Sequence, residues 1–211
     1  MKIKILLFFI IISIQNNNEW KLRKSADGIS VFTKLAAGSA YEDIKANTTI
    51  KTSLSSLVAV IKDIPSYTSW AYECKKVELT KIVNGTEIEH YQETAAPWPV
   101  SNRDIVVHTK ITQDKNTKII FISLKGIPDG LPRNTDLIRV TKFEASWKFI
   151  PKENNMVEIE YNLSTDPAGS IPAWVANMAM VEGPFQTLKK LKEIVNQPKY
   201  QNAKYSFIEE K

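Results

Sequence analysis

The side chains best suited to bind or transform a small molecule lie in residues 96–104, which read APWPVSNRD. The segment ends in an adjacent Arg103 and Asp104 and is followed by the apolar run 105–107, so two charges stand at the start of a buried strand. Three roles are open: a structural ion pair, an active site, or a polar anchor at the end of an apolar pocket. The direction in which each side chain points distinguishes between these three roles.

Strand geometry sends the two charges apart. Adjacent strand residues point to opposite faces, so Arg103 shares a face with Ile105 and Val107, while Asp104 faces outward. An inward arginine needs a partner, because an unpaired buried charge is strongly destabilising. Glu93, at the end of the preceding strand, is the first candidate. That pair would be either a structural bridge or a hydrogen-bonding site for the polar end of an apolar ligand.

Large apolar and aromatic side chains supply the other candidates for ligand contact. Trp98 lies between two prolines, where it either packs on a helix or stands at a pocket rim or membrane surface. Aromatic residues on the last helix and on one late strand belong to the core unless the sheet behind them is concave and unfilled. The candidate ligand-contact residues are Glu93, Trp98, Arg103, Val107, Phe143, Trp147, Tyr161, Trp174, Met178 and Phe185.

Catalytic and metal-binding motifs are missing from the sequence. It contains no HExxH, GxSxG, P-loop or GxGxxG pattern. The one cysteine, Cys74, cannot form an intramolecular disulfide or half of a cysteine-based metal site, and we expect it to be a small, half-buried residue. We therefore expect no cofactor, no metal and no catalytic residue. An enzyme would have to rely on a sparse set of side chains, namely Glu93, Arg103, His90 and Tyr161.

The composition bounds the class of protein. A chain of 211 residues that is 43% hydrophobic and 24% charged suits one globular domain with a sizeable core. The net charge of +5 is small and scattered, and two of the positive charges, Lys2 and Lys4, lie in the N-terminal segment. Nucleic-acid binding is therefore not expected, and we expect a monomer.

The N-terminus has the pattern of an export signal. A basic start is followed by the apolar residues 5–14, a length that fits a secretory signal and is too short to span a bilayer. We therefore interpret residues 1–14 as a signal peptide of a bacterial protein that is exported to the periplasm or secreted. The cleavage site is poor, so a membrane anchor formed by an uncleaved signal is the alternative.

Hydrophobic periodicity predicts a hairpin, a strand, a short helix, a long antiparallel meander and one long helix. Asp27-Gly28 is a strong hairpin turn signal, and Ser53 can cap the short helix. The last helix is predicted over residues 171–196, with an apolar stripe at helical spacing and Pro184 inside it. The further predicted strands cover residues 19–24, 29–34, 41–51, 77–83, 86–94, 104–112, 117–124, 137–150 and 156–164. Residues 198–211 are expected to form a loose tail.

Four segments in this order resemble those of a known family. They are residues 20–31 (WKLRKSADGISV), 97–104 (PWPVSNRD), 167–174 (PAGSIPAW) and Gly183-Pro184 followed by Thr187-Leu188. The chain is similar over residues 19–197 to the START domain, the steroidogenic-acute-regulatory-protein-related lipid-transfer module of the Bet v 1-like superfamily. The larger members carry an N-terminal helix, which we expect to be absent here or replaced by the signal segment.

The resemblance implies an α+β helix-grip fold, in which a curved antiparallel sheet wraps around the C-terminal helix and encloses a hydrophobic cavity. The cavity would hold one sterol, phospholipid or similar lipid, with Arg103 reaching into it and Glu93 as its acidic partner. The loop before Arg103 and the last helix would form the lid, with transient membrane contact. We thus expect a lipid carrier or sensor. The alternatives are a cyclase or aromatase that uses the same cavity, and an interaction protein with a filled core.

Overall fold

The structure, a computed structural model, describes residues 19–36, 41–171 and 173–211, without the side chains of residues 173, 174, 177 and 178. The segment interpreted as a signal peptide lies outside these ranges. The strands are β1 (Lys21–Ala26), β2 (Ile29–Leu35), β3 (Glu42–Lys51), β4 (Cys74–Ile82), β5 (Glu87–Thr94), β6 (Arg103–Gln113), β7 (Ile120–Gly126), β8 (Ile138–Arg139), β9 (Lys142–Pro151) and β10 (Met156–Asp166). The helices are α1 (Leu54–Lys62), α2 (Tyr67–Trp70), α3 (Ala173–Ile194) and α4 (Pro198–Gln201).

All of these strands belong to one curved sheet, as the resemblance implied. The order across the sheet is β1-β2-β3-β10-β9-β7-β6-β5-β4, and every neighbour in this order is antiparallel. The helix α3 packs on the concave side, with most of its contacts to β2 and β3. This is the predicted helix-grip arrangement, and the α+β fold class is confirmed.

Local sequence signals explain the start of the chain. Asp27 and Gly28 both have positive φ, at 54° and 70°, which is the backbone that a two-residue hairpin turn between right-twisted strands requires. The hydroxyl of Ser53 accepts a hydrogen bond from the Ser56 amide at 3.0 Å and so caps α1 as predicted. In β3 alternate residues are buried, with Ile44 only 2% exposed, so one face of this strand lies on the core.

The helix α3 is held to the first hairpin by charges. Lys24 Nζ contacts the Glu182 carboxylate at 2.7 Å, and Lys189 contacts Asp27 at 3.0 Å. Lys192 donates to the Asp27 carbonyl at 2.8 Å. Such part-exposed pairs contribute little stability each, but they fix the position of the helix against β1 and β2.

The strand predicted over residues 137–150 is divided in two. The residues of β8 pair in parallel with the beginning of β6, and β9 then begins at Lys142 and pairs with β7. The change of partner occurs at Val140, whose amide donates to the Asp104 carbonyl at 2.9 Å. The positions that line a cavity are even-numbered at Ile138 and Val140 and odd-numbered at Phe143 and Trp147, so the alternation shifts by one residue where the partner changes.

The segment after Pro198, expected to be a loose tail, packs against the domain. It includes α4, where Tyr200 is 2% exposed and donates to Asp63 at 2.7 Å. Ile208 is also buried. The Glu210 carboxylate accepts from the amides of Leu54 and Ser55, each at 2.9 Å. A carboxylate at the positive end of a helix is favourable, so the chain end closes the N-terminus of α1.

Candidate functional site

A cavity of about 490 Å³ lies between the concave face of the sheet and α3. Its volume falls in the range typical of small-molecule sites. Strands β5, β6, β7, β9 and β10 contribute alternate residues to its wall, and α2 and α3 cover it. The apolar lining includes Trp70, Ile105, Val107, Leu124, Val140, Phe143, Trp147, Leu163, Ile171, Val175 and Ala179.

A second cavity of about 450 Å³ adjoins the first. It lies under the loop 99–101 and the segment 169–171, and Arg103 and Ile171 line both cavities. The two cavities therefore share Arg103 and Ile171 in their walls.

Arg103 donates hydrogen bonds to three backbone carbonyls, and Tyr41 acts on its charge. Its side chain is 9% exposed, and it donates to the carbonyls of Ser101, Pro167 and Ala168, the last two at 3.3 Å. Burial lowers the pKa of Arg103, although an arginine remains protonated in a protein. The result is a buried positive charge at the cavity wall without a carboxylate counter-ion within the described ranges.

Asp104 forms a separate, complete ion pair on the other face of β6. Its two carboxylate oxygens accept from Arg139 Nε at 2.9 Å and from Nη2 at 2.8 Å, and both side chains are nearly fully buried. Arg139 also donates to three carbonyls of the loop between β7 and β8, at residues 128, 131 and 132. Hydrogen bonding to Asp104 raises the pKa of Arg139. The expectation that Asp104 faces outward is correct in direction, but the loop covers it.

Glu93 is not the partner of Arg103, and that prediction is wrong. Its carboxylate accepts from Asn102 Nδ2 at 2.8 Å and pairs with Lys75 Nζ at 3.1 Å. The alternation of β5 explains the difference. His90, Gln92 and Thr94 line the cavity, so the odd-numbered Glu93 points to the opposite face of the sheet.

His90 is a buried polar residue of the cavity wall. It is 1% exposed, and its Nδ1 atom has no hydrogen-bond partner among the described residues. Its ring stands edge-on to Tyr67 with 5.5 Å between centroids, but the Tyr67 hydroxyl donates to the Ile61 carbonyl instead. Burial lowers the pKa of His90 to about 4, so the imidazole is neutral at pH 7.

The other predicted contact residues divide into three groups. Val107, Phe143, Trp147 and Tyr161 line the first cavity together with Arg103. Phe185 does not line either cavity, because it is buried on another side of α3, with Lys24 Nζ 3.8 Å from its ring centroid. The side chains of Trp174 and Met178 lie outside the described part of the structure.

Trp98 lines neither cavity and is 91% exposed. Its neighbours Pro97 and Pro99 line the first and second cavity, respectively. The interpretation as an aromatic packed on the helix is therefore wrong, because the indole stands in solvent at the end of the loop between β5 and β6.

Several site residues were missed by the sequence reasoning. Gln92 and Thr94 could have been found, because the charged residues at 87 and 89 already indicated that odd positions of β5 face water. The pairing of Asp104 with Arg139 could not have been found, because it depends on the parallel pairing of β8 with β6. The carbonyl partners of Arg103 at residues 167 and 168 leave no trace in side-chain patterns.

Within residues 19–36, 41–171 and 173–211, no cluster of acidic, histidine and cysteine side chains has the geometry to hold a metal ion. Over the same residues, no helix combines the length and apolarity needed to cross a bilayer.

Comparison with known proteins agrees with the fold. A protein of Pseudomonas aeruginosa described as uncharacterized is 34% identical over 175 residues, covering 82% of this chain and 85% of that protein. The phosphatidylcholine transfer protein of Rattus norvegicus is 25% identical over 178 residues and is matched over 82% of each chain. The crystal structure of a STAR-related lipid transfer protein fragment from Xanthomonas axonopodis superposes with a TM-score of 0.78 at 33% identity, covering 84% of this chain and 99% of that one. The START domain family model matches residues 15–201, and this chain therefore belongs to the START domain family.

Proposed function

We propose that the protein binds one lipid in the cavity between the sheet and α3, as a carrier or sensor, with Arg103 as the polar anchor. The observation that carries the proposal is an apolar cavity of about 490 Å³ whose wall holds a buried arginine without a carboxylate partner among the described residues. Two of the similar proteins are named lipid transfer proteins, which supports a lipid as the ligand.

Arg103 has hydrogen-bonding capacity to spare. A guanidinium carries five N–H donors, and the three carbonyl contacts use one donor each. The remaining donors suit an anionic oxygen pair such as a carboxylate or phosphate, since arginine binds these groups in a bidentate manner. Because Arg103 lines both cavities, the head group would lie at their junction and the apolar body in the first cavity.

The positions of the acidic and basic groups favour binding over catalysis. A cyclase-like enzyme would need an acid and a base on the same substrate, and the sparse set considered for it included Glu93. Glu93 is bonded to Lys75 and Asn102 on the opposite face of β5. His90 and Tyr161 remain at the cavity wall, where burial raises the pKa of the tyrosine.

Trp98 is proposed to contact a membrane while the ligand is exchanged. An exposed indole on a loop whose flanking prolines line the cavities suits the interface of a bilayer, where tryptophan is enriched. We expect Trp98→Ala to weaken co-sedimentation with anionic phospholipid vesicles and to leave the melting temperature unchanged. Equal co-sedimentation of the two proteins would contradict the membrane role.

Export to the periplasm or outside the cell remains our proposal from the N-terminal sequence. Cell fractionation of the producing bacterium tests it, and recovery of the full-length chain in the cytoplasm would contradict it.

Native mass spectrometry of the purified protein, followed by lipid extraction, tests the proposed function. We expect one lipid per chain, and Arg103→Met should weaken the binding of a lipid with an anionic head group by about 10- to 100-fold, as expected for charged hydrogen bonds. Glu93→Gln is the matched control and should bind normally, because Glu93 faces away from the cavity. A protein that carries no lipid and binds neither fatty acids, sterols nor phospholipids would overturn the proposal.

A further inference from the structure

His90 lies on the same wall of the cavity as Arg103. In the pairing of β5 with β6, Thr94 is opposite Arg103, Gln92 is opposite Ile105, and His90 is opposite Val107. All of these residues line the first cavity. Four residues along an antiparallel strand cover about 13 Å, so the strand positions of His90 and Arg103 are about 13 Å apart along the wall.

The side chains of the wall between these two groups are apolar or hydrogen-bonded to one another. Ile105 is apolar, and the Gln92 amide donates to the Thr94 hydroxyl at 3.3 Å. His90 itself has no hydrogen bond to a described residue through Nδ1, and the nearby Tyr67 hydroxyl is already bonded to Ile61. A buried polar group without a partner is costly and calls for an explanation.

From this spacing we infer that His90 binds an uncharged oxygen atom of the lipid, such as a hydroxyl or carbonyl group on its chain, about 13 Å from the anionic group at Arg103. The inference deepens the proposed function, on which it rests. It names the ligand class as a lipid whose acyl chain carries a hydroxyl or carbonyl group, rather than one with an unsubstituted chain.

The chemistry of the neutral imidazole fits this role. A neutral histidine offers one N–H donor and one acceptor nitrogen, so it can bond a hydroxyl in either direction. An anion would be a poor ligand here, because burial lowers the pKa of His90 to about 4 and leaves it uncharged. The two groups would thus recognise different ends of one molecule, a charge at Arg103 and a neutral oxygen at His90.

Ricinoleic acid and oleic acid form a matched pair of probes, because they differ only in one hydroxyl group partway along the chain. We expect the wild-type protein to bind both acids. His90→Phe should weaken the affinity for ricinoleic acid by about tenfold and leave the affinity for oleic acid unchanged. His90→Gln, which keeps a donor and an acceptor, should restore part of the difference. Fluorescence displacement titrations at pH 7.5, around neutral pH, would measure these affinities.

Two further variants separate this role from a structural one. Thr109→Val removes another buried polar atom that lacks a partner within the described ranges, on the same face of β6 but outside the cavity lining, and should leave both affinities unchanged. His90→Phe should retain or raise the melting temperature, because it removes an unsatisfied buried group. If it does not fold, His90→Gln alone carries the comparison, and it should weaken ricinoleic acid binding by less than about tenfold while leaving oleic acid binding unchanged.

The outcomes distinguish this inference from the proposal beneath it. Equal weakening of both acids by His90→Phe, no change in ricinoleic acid binding, or rejection of ricinoleic acid by the wild-type protein would overturn the role of His90 and leave lipid binding standing. Failure of the wild-type protein to bind either acid, or any lipid in the extraction experiment, would overturn both.

Discussion

Two buried arginines lie on opposite sides of β6, and they are partnered in opposite ways. Arg139 makes a bidentate ion pair with Asp104 and also bonds three carbonyls, and its pKa is raised by that hydrogen bonding. Arg103 bonds three carbonyls without a carboxylate among the described residues, and burial lowers its pKa. The outer charge is neutralised by Asp104, whereas the inner charge has no carboxylate beside it among the described residues, as its proposed role as a ligand anchor requires.

The same contrast extends along the two faces of the sheet. On the outer face, the buried carboxylate of Asp104 is bonded by Arg139, and Arg139 also bonds the loop between β7 and β8. These bonds stabilise the structure. The cavity face keeps His90 and Arg103 buried with capacity unused. Unused capacity reduces stability, and such exceptions to full polar satisfaction concentrate at functional sites. Mutations on the outer face should therefore change mainly stability, and mutations on the cavity face should change mainly ligand binding.

The largest expected effect is the loss of the outer ion pair. Arg139→Met leaves Asp104 buried and uncompensated, so we expect the free energy of unfolding to fall by about 3–5 kcal/mol. Arg103→Met should cost only about 1 kcal/mol, since it also removes an unpaired buried charge. Urea denaturation measures both. If the two variants lose equal stability, Arg103 is structural and the contrast between the faces fails.

A smaller effect concerns pH and the cavity face. The pKa of His90 falls from 6.5 to about 4 on folding. Above pH 6.5 the group is neutral in both states and contributes nothing; below it, only the unfolded state takes up the proton. The free energy of unfolding should therefore fall by about 3 kcal/mol as the pH decreases from 6.5 to 4.

Replacement of His90 isolates its part in this pH dependence. His90→Phe should flatten the slope in the upper part of that range, where most carboxylates have not yet titrated. Thermal unfolding followed by circular dichroism at several pH values measures the slope. Identical slopes for the wild-type protein and the variant would show that His90 is not buried in its neutral form.

The smallest effect comes from Thr109, whose hydroxyl is buried away from the cavity and has no hydrogen-bond partner in the part of the chain that the structure describes. Thr109→Val should raise the free energy of unfolding by up to about 1 kcal/mol, because it removes an unsatisfied polar atom. Urea denaturation again provides the measurement. A loss of stability would mean that this hydroxyl has a partner, and the same doubt would then apply to His90.

Much of the fold could be predicted because its signals are local. The turn at Asp27-Gly28, the cap at Ser53 and the inward direction of Arg103 follow from residue types and from the two-residue period of a strand. Glu93 was wrongly predicted to be the partner of Arg103, because its position near Arg103 in the sequence was given more weight than the two-residue period of a strand. Following the alternation from Glu87 and Glu89 to position 93 would have placed Glu93 on the wet face.

The contacts that complete the site depend on long-range pairing and could not be predicted. Arg139 reaches Asp104 only because a two-residue strand joins the edge of β6 in parallel. The carbonyls that hold Arg103 come from residues 167 and 168, more than 60 positions away, where Ala168 has a positive φ of 56°. The pattern of side-chain types along the sequence does not predict which backbone carbonyl a distant arginine will contact.

The packing of the chain end bears on protein engineering. Similarity to the family ends at residue 201, yet Glu210 supplies the acceptors for the first amides of α1, and Ile208 is buried. A shortened version designed from the family boundary would lose these contacts. The folded part of the chain thus extends beyond the residues that the family model matches. A fusion partner placed behind it is better separated from it by a flexible spacer.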